Sequence, residues 1–167
     1  LKYDEVGLVA KSVADGLQIR LDVKTPDIGT GYANVIIDPY RDSKPMRGEI
    51  AFNQVRLKIF KPFIQDIRNL DGILSYAGKI SGTLTDPLLE GEVRVKDASI
   101  SMISLPVNLT NVQLYSSIRQ NSASINGSFN RCRGVGKLTG SVDWKGDPRV
   151  QLKLQGDNLL IRQAPLI

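Results

Sequence analysis

Apolar and polar residues alternate along most of this chain, and the alternation is sharpest between Asp71 and Lys96. From Leu74 to Leu84 every second residue (Leu74, Tyr76, Gly78, Ile80, Gly82, Leu84) is apolar or glycine, with mostly Ser, Lys and Thr between. A period of two marks a β-strand with one dry and one wet face, because successive side chains leave a pleated strand on opposite sides. Asp86-Pro87 interrupts the pattern, after which Leu89, Gly91, Val93 and Val95 resume the dry face against Glu90, Glu92, Arg94 and Lys96. The expected unit is two amphipathic strands joined by an Asp-Pro turn.

The same unit recurs in both directions. Residues 5–12 read as a partial strand, and Leu17, Ile19, Leu21 and Val23 mark the dry side of the next. Thr25-Pro26-Asp27 makes a turn into a third strand carrying Gly31, Ala33, Val35 and Ile37. Beyond a charged loop opened by Asp38-Pro39, Gly48, Ile50 and Phe52 share a face, whereas Val55, Leu57 and Ile59 have the opposite parity. A slip of one residue turns every later side chain over, so a β-bulge or tight turn is predicted near Asn53-Gln54. Later strands are predicted around Ala98, Ile100 and Met102, and around Val112 to Ile118 after a break at Leu105-Pro106. Others follow around Ala123 to Phe129, Leu138 to Trp144 and Val150 to Leu154, with a last one at 159–163. One short helix is predicted over 62–70: Pro62 suits a first turn, and Phe63, Ile67 and Leu70 have i, i+4, i+7 spacing before Gly72. So short a helix must dock on the sheet to persist, or else touch a membrane or partner.

A weak repeat runs through these strands. Lys79-Ile80-Ser81-Gly82-Thr83-Leu84 is echoed by Lys137-Leu138-Thr139-Gly140-Ser141-Val142, and each copy precedes an Asp-Pro turn. Self-similar strand units suggest an elongated, stackable sheet, although a β-sandwich also repeats short strands. Glycines Gly31, Gly48, Gly78, Gly82, Gly91, Gly127 and Gly140 all fall on the apolar parity, where a packed core would carry Val, Ile or Leu. They either permit curvature and tight packing, or leave room inside a curled sheet for an apolar trough.

Composition narrows the chemistry. The chain has 167 residues, begins without Met and ends on an apolar run, so it reads as a single β-rich segment, 1–167, cut from a larger protein, with possible sub-units at 1–60 and 70–167. Its 22 Lys+Arg against 17 Asp+Glu give a net charge of +5, which suits an anionic partner or simply solubility. Aromatic residues are only 6% of the chain, too few for a base-stacking platform, and no nucleic-acid motif is present, so no nucleic-acid partner is expected. With one cysteine and no histidine, an intramolecular disulfide is impossible and the commonest zinc ligands are missing, so no metal or cofactor is expected. Cys132 between Arg131 and Arg133 lacks any histidine base and reads as unreactive. Glu90 and Glu92 belong to a solvated face, and Asp38, Asp86 and Asp147 precede prolines in turns. No catalytic residue is assigned, and the chain is not expected to be an enzyme.

The apolar helix candidate, then Leu70-Asp71-Gly72, then Gly78-Lys79-Ile80-Ser81-Gly82-Thr83-Leu84-Thr85-Asp86-Pro87 and Gly91, resembles the C-terminal domain of the TamB family. The echo from Gly140 to Pro148 extends this over most of residues 46–167, while residues 1–45 match only in style. The resemblance implies an all-β fold: a long curled sheet, antiparallel or mixed, shaped like a taco or open tube with a hydrophobic interior. It further implies a periplasmic segment of an inner-membrane-anchored protein of Gram-negative bacteria, serving the translocation and assembly module beside the outer-membrane barrel TamA. AsmA-like relatives are associated with phospholipid movement between the two membranes. The favoured expectation is a trough that shields phospholipid acyl chains or unfolded outer-membrane (autotransporter) β-strands. Its lining would be Ile80, Leu84, Val93, Ile100, Leu114, Phe129, Leu138 and Leu152, with Gly78, Gly82, Gly91, Gly127 and Gly140 as curvature glycines. Alternatives are a phospholipid conduit without client-protein binding, client pairing at a free strand edge, and a purely structural scaffold bridging the membranes.

Overall fold

A computed structural model describes residues 5–26, 29–103, 108–131, 134–147 and 149–156. Ten strands follow one another: β1 Glu5–Val13, β2 Gly16–Thr25, β3 Gly29–Ile37, β4 Met46–Arg56, β5 Ile67–Gly82, β6 Pro87–Met102, β7 Asn108–Gln120, β8 Ser122–Arg131, β9 Gly134–Asp143 and β10 Arg149–Gly156. Each strand pairs antiparallel with its sequence neighbour, in the order β1 to β10, in one sheet. Short connections between amphipathic strands favour this meander, since an antiparallel neighbour needs only a tight turn. The sheet is open and not closed into a barrel. A two-sheet sandwich is therefore excluded for the described residues, as is a mixed sheet.

The unit from Asp71 to Lys96 forms as expected, with Gly82 opposite Pro87 and Ile80 opposite Leu89. The Asp-Pro turn is closed by the Thr83 N–H on the Asp86 carbonyl at 3.1 Å and by the Asp86 N–H on the Thr83 hydroxyl at 3.1 Å. The bulge predicted near Asn53-Gln54 is present: the register of β4 on β5 shifts between Phe52 and Val55, and Gln54 has φ 61.

The predicted bulge has unpredicted companions. The register of β6 on β7 shifts between Val95 and Ala98, and that of β7 on β8 between Thr110 and Gln113. Asp97 (φ 51) and Asn111 (φ 48) stand at these shifts in the left-handed region, which short polar side chains tolerate better than most. Gln113 joins them, donating from Nε2 to Asp97 Oδ1 at 2.9 Å and to Asn111 Oδ1 at 3.1 Å. Each bulge adds a residue and bends its strand. Because each also flips parity, the apolar residues on both sides of it stay on one face.

The helix is displaced from its expected position. It is a 3-10 helix over Leu57–Phe63, with Pro62 near its end, and Ile67 and Leu70 already belong to β5. The i, i+4, i+7 spacing of Phe63, Ile67 and Leu70 is thus coincidental with strand alternation, Leu70 facing Ile100 across the ladder. The helix does dock on the sheet: Leu57 enters the core with Leu70, Ala98, Val112 and Phe129. Ile67, Leu74, Val95, Ile100, Leu109 and Leu138 pack around them. The strand predicted at 159–163, Cys132 and the Leu105-Pro106 break lie outside the described residues.

Candidate functional site: one apolar face across ten strands

Register builds the candidate site. Paired residues in an antiparallel ladder point the same way, so the row can be followed from strand to strand. Leu8 pairs with Leu21, Leu21 with Ala33, Ala33 with Ile50 and Ile50 with Gly78. Gly78 meets Gly91, Gly91 meets Ile118 and Ile118 meets Ala123. Ala123 pairs with Val142, and Val142 with Val150 on β10. Every member of that row is apolar or glycine, from one edge of the sheet to the other.

Seven of the eight predicted lining residues share this face. Ile80, Val93, Ile100, Leu114, Phe129, Leu138 and Leu152 lie on strands whose registers align them, through Gly48–Ile80–Leu89, Val95–Leu114–Gly127–Leu138 and Gly140–Leu152. Leu84 lies apart. The alternation that placed it ends where β5 ends, at Gly82 (φ 86), and Leu84 sits in the following turn with its N–H on the Lys44 carbonyl at 3.3 Å.

The face has two environments. Ile100, Leu138 and Leu114 are half-buried and Phe129 is buried, all on the side of the bulges and the 3-10 helix. Ile80 and Val93 are half-buried on the open stretch, and Leu152 is 58% exposed at the β10 edge. Val6, Leu8, Val150 and Leu154 are likewise exposed near the two edges. Six apolar residues in all are buried among those described, a small core for so much apolar surface.

The curvature glycines are close-approach positions and not gaps. A Cβ at Gly78 would meet the Glu90 carbonyl, at Gly91 the Ala77 carbonyl, and at Gly140 the Gln151 carbonyl and the Leu152 side chain. At Gly127 it would meet the Gln113 carbonyl, and at Gly82 the Asp86 carbonyl. Two further glycines lie beneath aromatic rings, Gly31 under Phe52 and Gly136 under Phe129. Gly136 was not anticipated. Its signal in the sequence is an apolar-parity glycine two residues before Leu138. Each glycine leaves room for the ring over it; Phe52 is half-buried and lies on the open floor of this face, whereas Phe129 belongs to the core.

Polar side chains set into that face include Ser116, buried between Val93 and Ile125, and Tyr76. The Tyr76 hydroxyl rests over Gly78 and, among the described residues, has no hydrogen-bond partner, and burial raises its pKa. The opposite face is solvated and mainly polar, with exposed Val9, Tyr32, Ile73 and Val135 among its charged residues. There the Tyr115 hydroxyl bonds Glu92, which with Arg94 lowers the Glu92 pKa, and the Arg94 guanidinium lies 5.9 Å from the Tyr115 ring centroid. A cleft of about 510 Å3 on this polar side is lined by residues that include Glu5, Asp22, Lys24, Thr30 and Tyr32. No group of three or more potential metal ligands stands together among the described residues. Nor is any helix among them long and apolar enough to cross a membrane. What the apolar face can do chemically is exclude water from another apolar surface.

Comparison with known proteins agrees in family and differs in location. The family described as the TamB N-terminal domain matches residues 1–95. The chain is 19% identical over 130 residues, 78% of its length, to the translocation and assembly module subunit TamB of Haemophilus influenzae (strain ATCC 51907 / DSM 11121 / KW20 / Rd). It spans 10% of that protein. No solved structure matches. The match therefore corrects the resemblance to the C-terminal domain: residues 1–45, similar in style only, lie wholly within the matched N-terminal region.

Proposed function

This chain belongs to the TamB family, and from that premise we propose that it is a non-enzymatic, periplasmic part of a translocation and assembly module. Its apolar face shields lipid acyl chains or outer-membrane β-strands from water between the inner and outer membranes, with the barrel TamA as the outer-membrane partner. The reading is carried by one observation: an apolar row continuous over ten strands and only half covered by the protein's own atoms. Moving a methylene from water on to such a surface gains up to about 0.8 kcal/mol, the value for complete burial. An acyl chain or apolar strand lying along the row collects that gain repeatedly without a cofactor or an energy source. Client pairing by strand addition is the alternative reading, which would rest on backbone groups and not on this face.

Photo-crosslinking in cells tests the proposal. A crosslinker at Val93 or Leu152 is expected to capture lipid or outer-membrane polypeptide, and one at Arg94 or Lys153 on the opposite face to capture far less. Equal capture on the two faces would remove the apolar row as the binding surface. Adducts confined to β1 and β10 would transfer the function to the edges.

A further inference from the structure

The 3-10 helix carries an apolar ridge out of the core into solvent. With three residues per turn, positions i and i+3 eclipse, so Leu57, Phe60 and Phe63 stand in line. Leu57 is 9% exposed, Phe60 39% and Phe63 83%, so the ridge begins in the packed end of the sheet and finishes outside it. Ile64, next in the chain, is 43% exposed. Ile103 is also exposed, and its N–H donates to the carbonyl of Asp66, two residues beyond Ile64, at 2.9 Å.

A second ridge of opposite chemistry runs alongside. Lys58 and Lys61 are one turn apart and both exposed. From residue 56 to residue 68 the cations Arg56, Lys58, Lys61 and Arg68 stand against a single carboxylate, Asp66.

Leu57 is the residue of this helix in the buried core and Ile59 is half-buried beside it, whereas Phe63 stands almost wholly in solvent. We propose that the Phe60–Phe63–Ile64 ridge, flanked by Lys58 and Lys61, is an interfacial anchor that seats this end of the sheet on an anionic lipid surface. Aromatic and aliphatic side chains gain by entering the headgroup boundary, and lysines beside them gain from anionic lipid. A protein partner fits less well. Lysine is depleted from the centres of protein interfaces, which also bury about 800 Å2 on each side, more than a ridge of three side chains offers. The apolar row proposed as the shielding surface takes no part in this anchor.

The test uses the 167-residue chain with vesicles of phosphatidylglycerol mixed into phosphatidylcholine, against vesicles of phosphatidylcholine alone. Co-sedimentation is expected with the first, weakening as salt rises. Phe63→Asp, at an exposed site, is expected to lower partitioning by about tenfold or more with an unchanged far-UV spectrum. Lys61→Glu, a second variant independent of apolar packing, is expected to reduce the preference for phosphatidylglycerol. Leu152→Asp, on the apolar row, is expected to keep the preference for phosphatidylglycerol and its salt dependence, which separates failure of the anchor from failure of the shielding surface. The proposal is overturned if Phe63→Asp binds like the parent, or if lipid charge makes no difference. It is also overturned if the preference for phosphatidylglycerol is lost only in Leu152→Asp, or if the parent ignores vesicles of either kind.

Discussion

Phe129 and Leu152 lie on the same face of one sheet, on strands β8 and β10, in closely similar sequence contexts of alternating polar and apolar residues. Phe129 is 3% exposed and Leu152 is 58% exposed. Nothing in the alternation distinguishes them. Phe129 is covered because the bulges at Gln54, Asp97 and Asn111 bend the middle strands, and because the 3-10 helix brings Leu57 over the same region. Among the described residues, Leu152 has its neighbours on β9 and β10 beside it. Period-two alternation therefore specifies a face, and whatever folds over that face decides between core and binding surface.

The largest expected effect tests this division directly. Phe129→Ala removes a buried ring that also covers Gly136, and should destabilise the chain by roughly 3–5 kcal/mol. Leu152→Ala, already mostly wet, should cost less than about 1 kcal/mol, because little area is returned to water. Equilibrium urea unfolding of both variants checks the pair. Comparable losses would mean that the two regions form one core.

A smaller effect is expected at the hinge between the regions. Gly72 has φ 127 and a Cβ there would lie 2.6 Å from the Ala98 Cα, opposite the Asp97 bulge. Gly72→Ala should therefore cost about 1–3 kcal/mol through backbone strain and the displaced strand. Unfolding by urea should show an unchanged slope with a lower midpoint. A neutral result would show that the bulged end is plastic, and that its packing is not held by the bulges.

Much of this was legible in the residues, and the parts that were not have physical reasons. The change of parity from Phe52 to Val55 announced the β4 bulge. The same change stands in the sequence from Val95 to Ala98 and from Leu109 to Val112, but the polar residues Lys96-Asp97 and Thr110-Asn111 there read equally well as strand ends. The helix was misplaced because Phe63, Ile67 and Leu70 satisfy a helical spacing over too few residues to outweigh strand pairing. Leu84 was misplaced by one more beat of alternation than the strand contains. On the candidate site, alternation put Ile80, Val93 and Leu138 on one side, since register follows from it. It was silent on which of them would be covered, because covering depends on chain distant in sequence. The glycines show the same limit: their parity was readable, but the ring of Phe52 or Phe129 lying over a glycine was not.

The finest distinction concerns Tyr76, midway between the regions, where Leu74 packs toward the core and Gly78 opens the floor. Its ring is half-buried, but the hydroxyl is covered and has no partner among the described residues, so folding strips it of water without return. Tyr76→Phe should leave the fold intact and raise stability by up to about 1 kcal/mol, by removing that unmet polar group. The pH dependence gives a second readout. Burial raises the Tyr76 pKa above its usual value near 10, so in that range the folded state holds the proton more tightly than the unfolded chain. Its contribution is complete below the unfolded pKa and is lost as pH rises through the higher folded one. Stability of the parent chain should therefore decline above about pH 10, and Tyr76→Phe should flatten that decline. Some slope should remain, because Tyr115, whose hydroxyl bonds Glu92, is also shifted upward. Should Tyr76→Phe instead destabilise, with the alkaline limb unchanged, the hydroxyl has a partner and the floor at Gly78 is wet. The boundary between packed end and open surface would then lie nearer the bulges, between Leu74 and Tyr76.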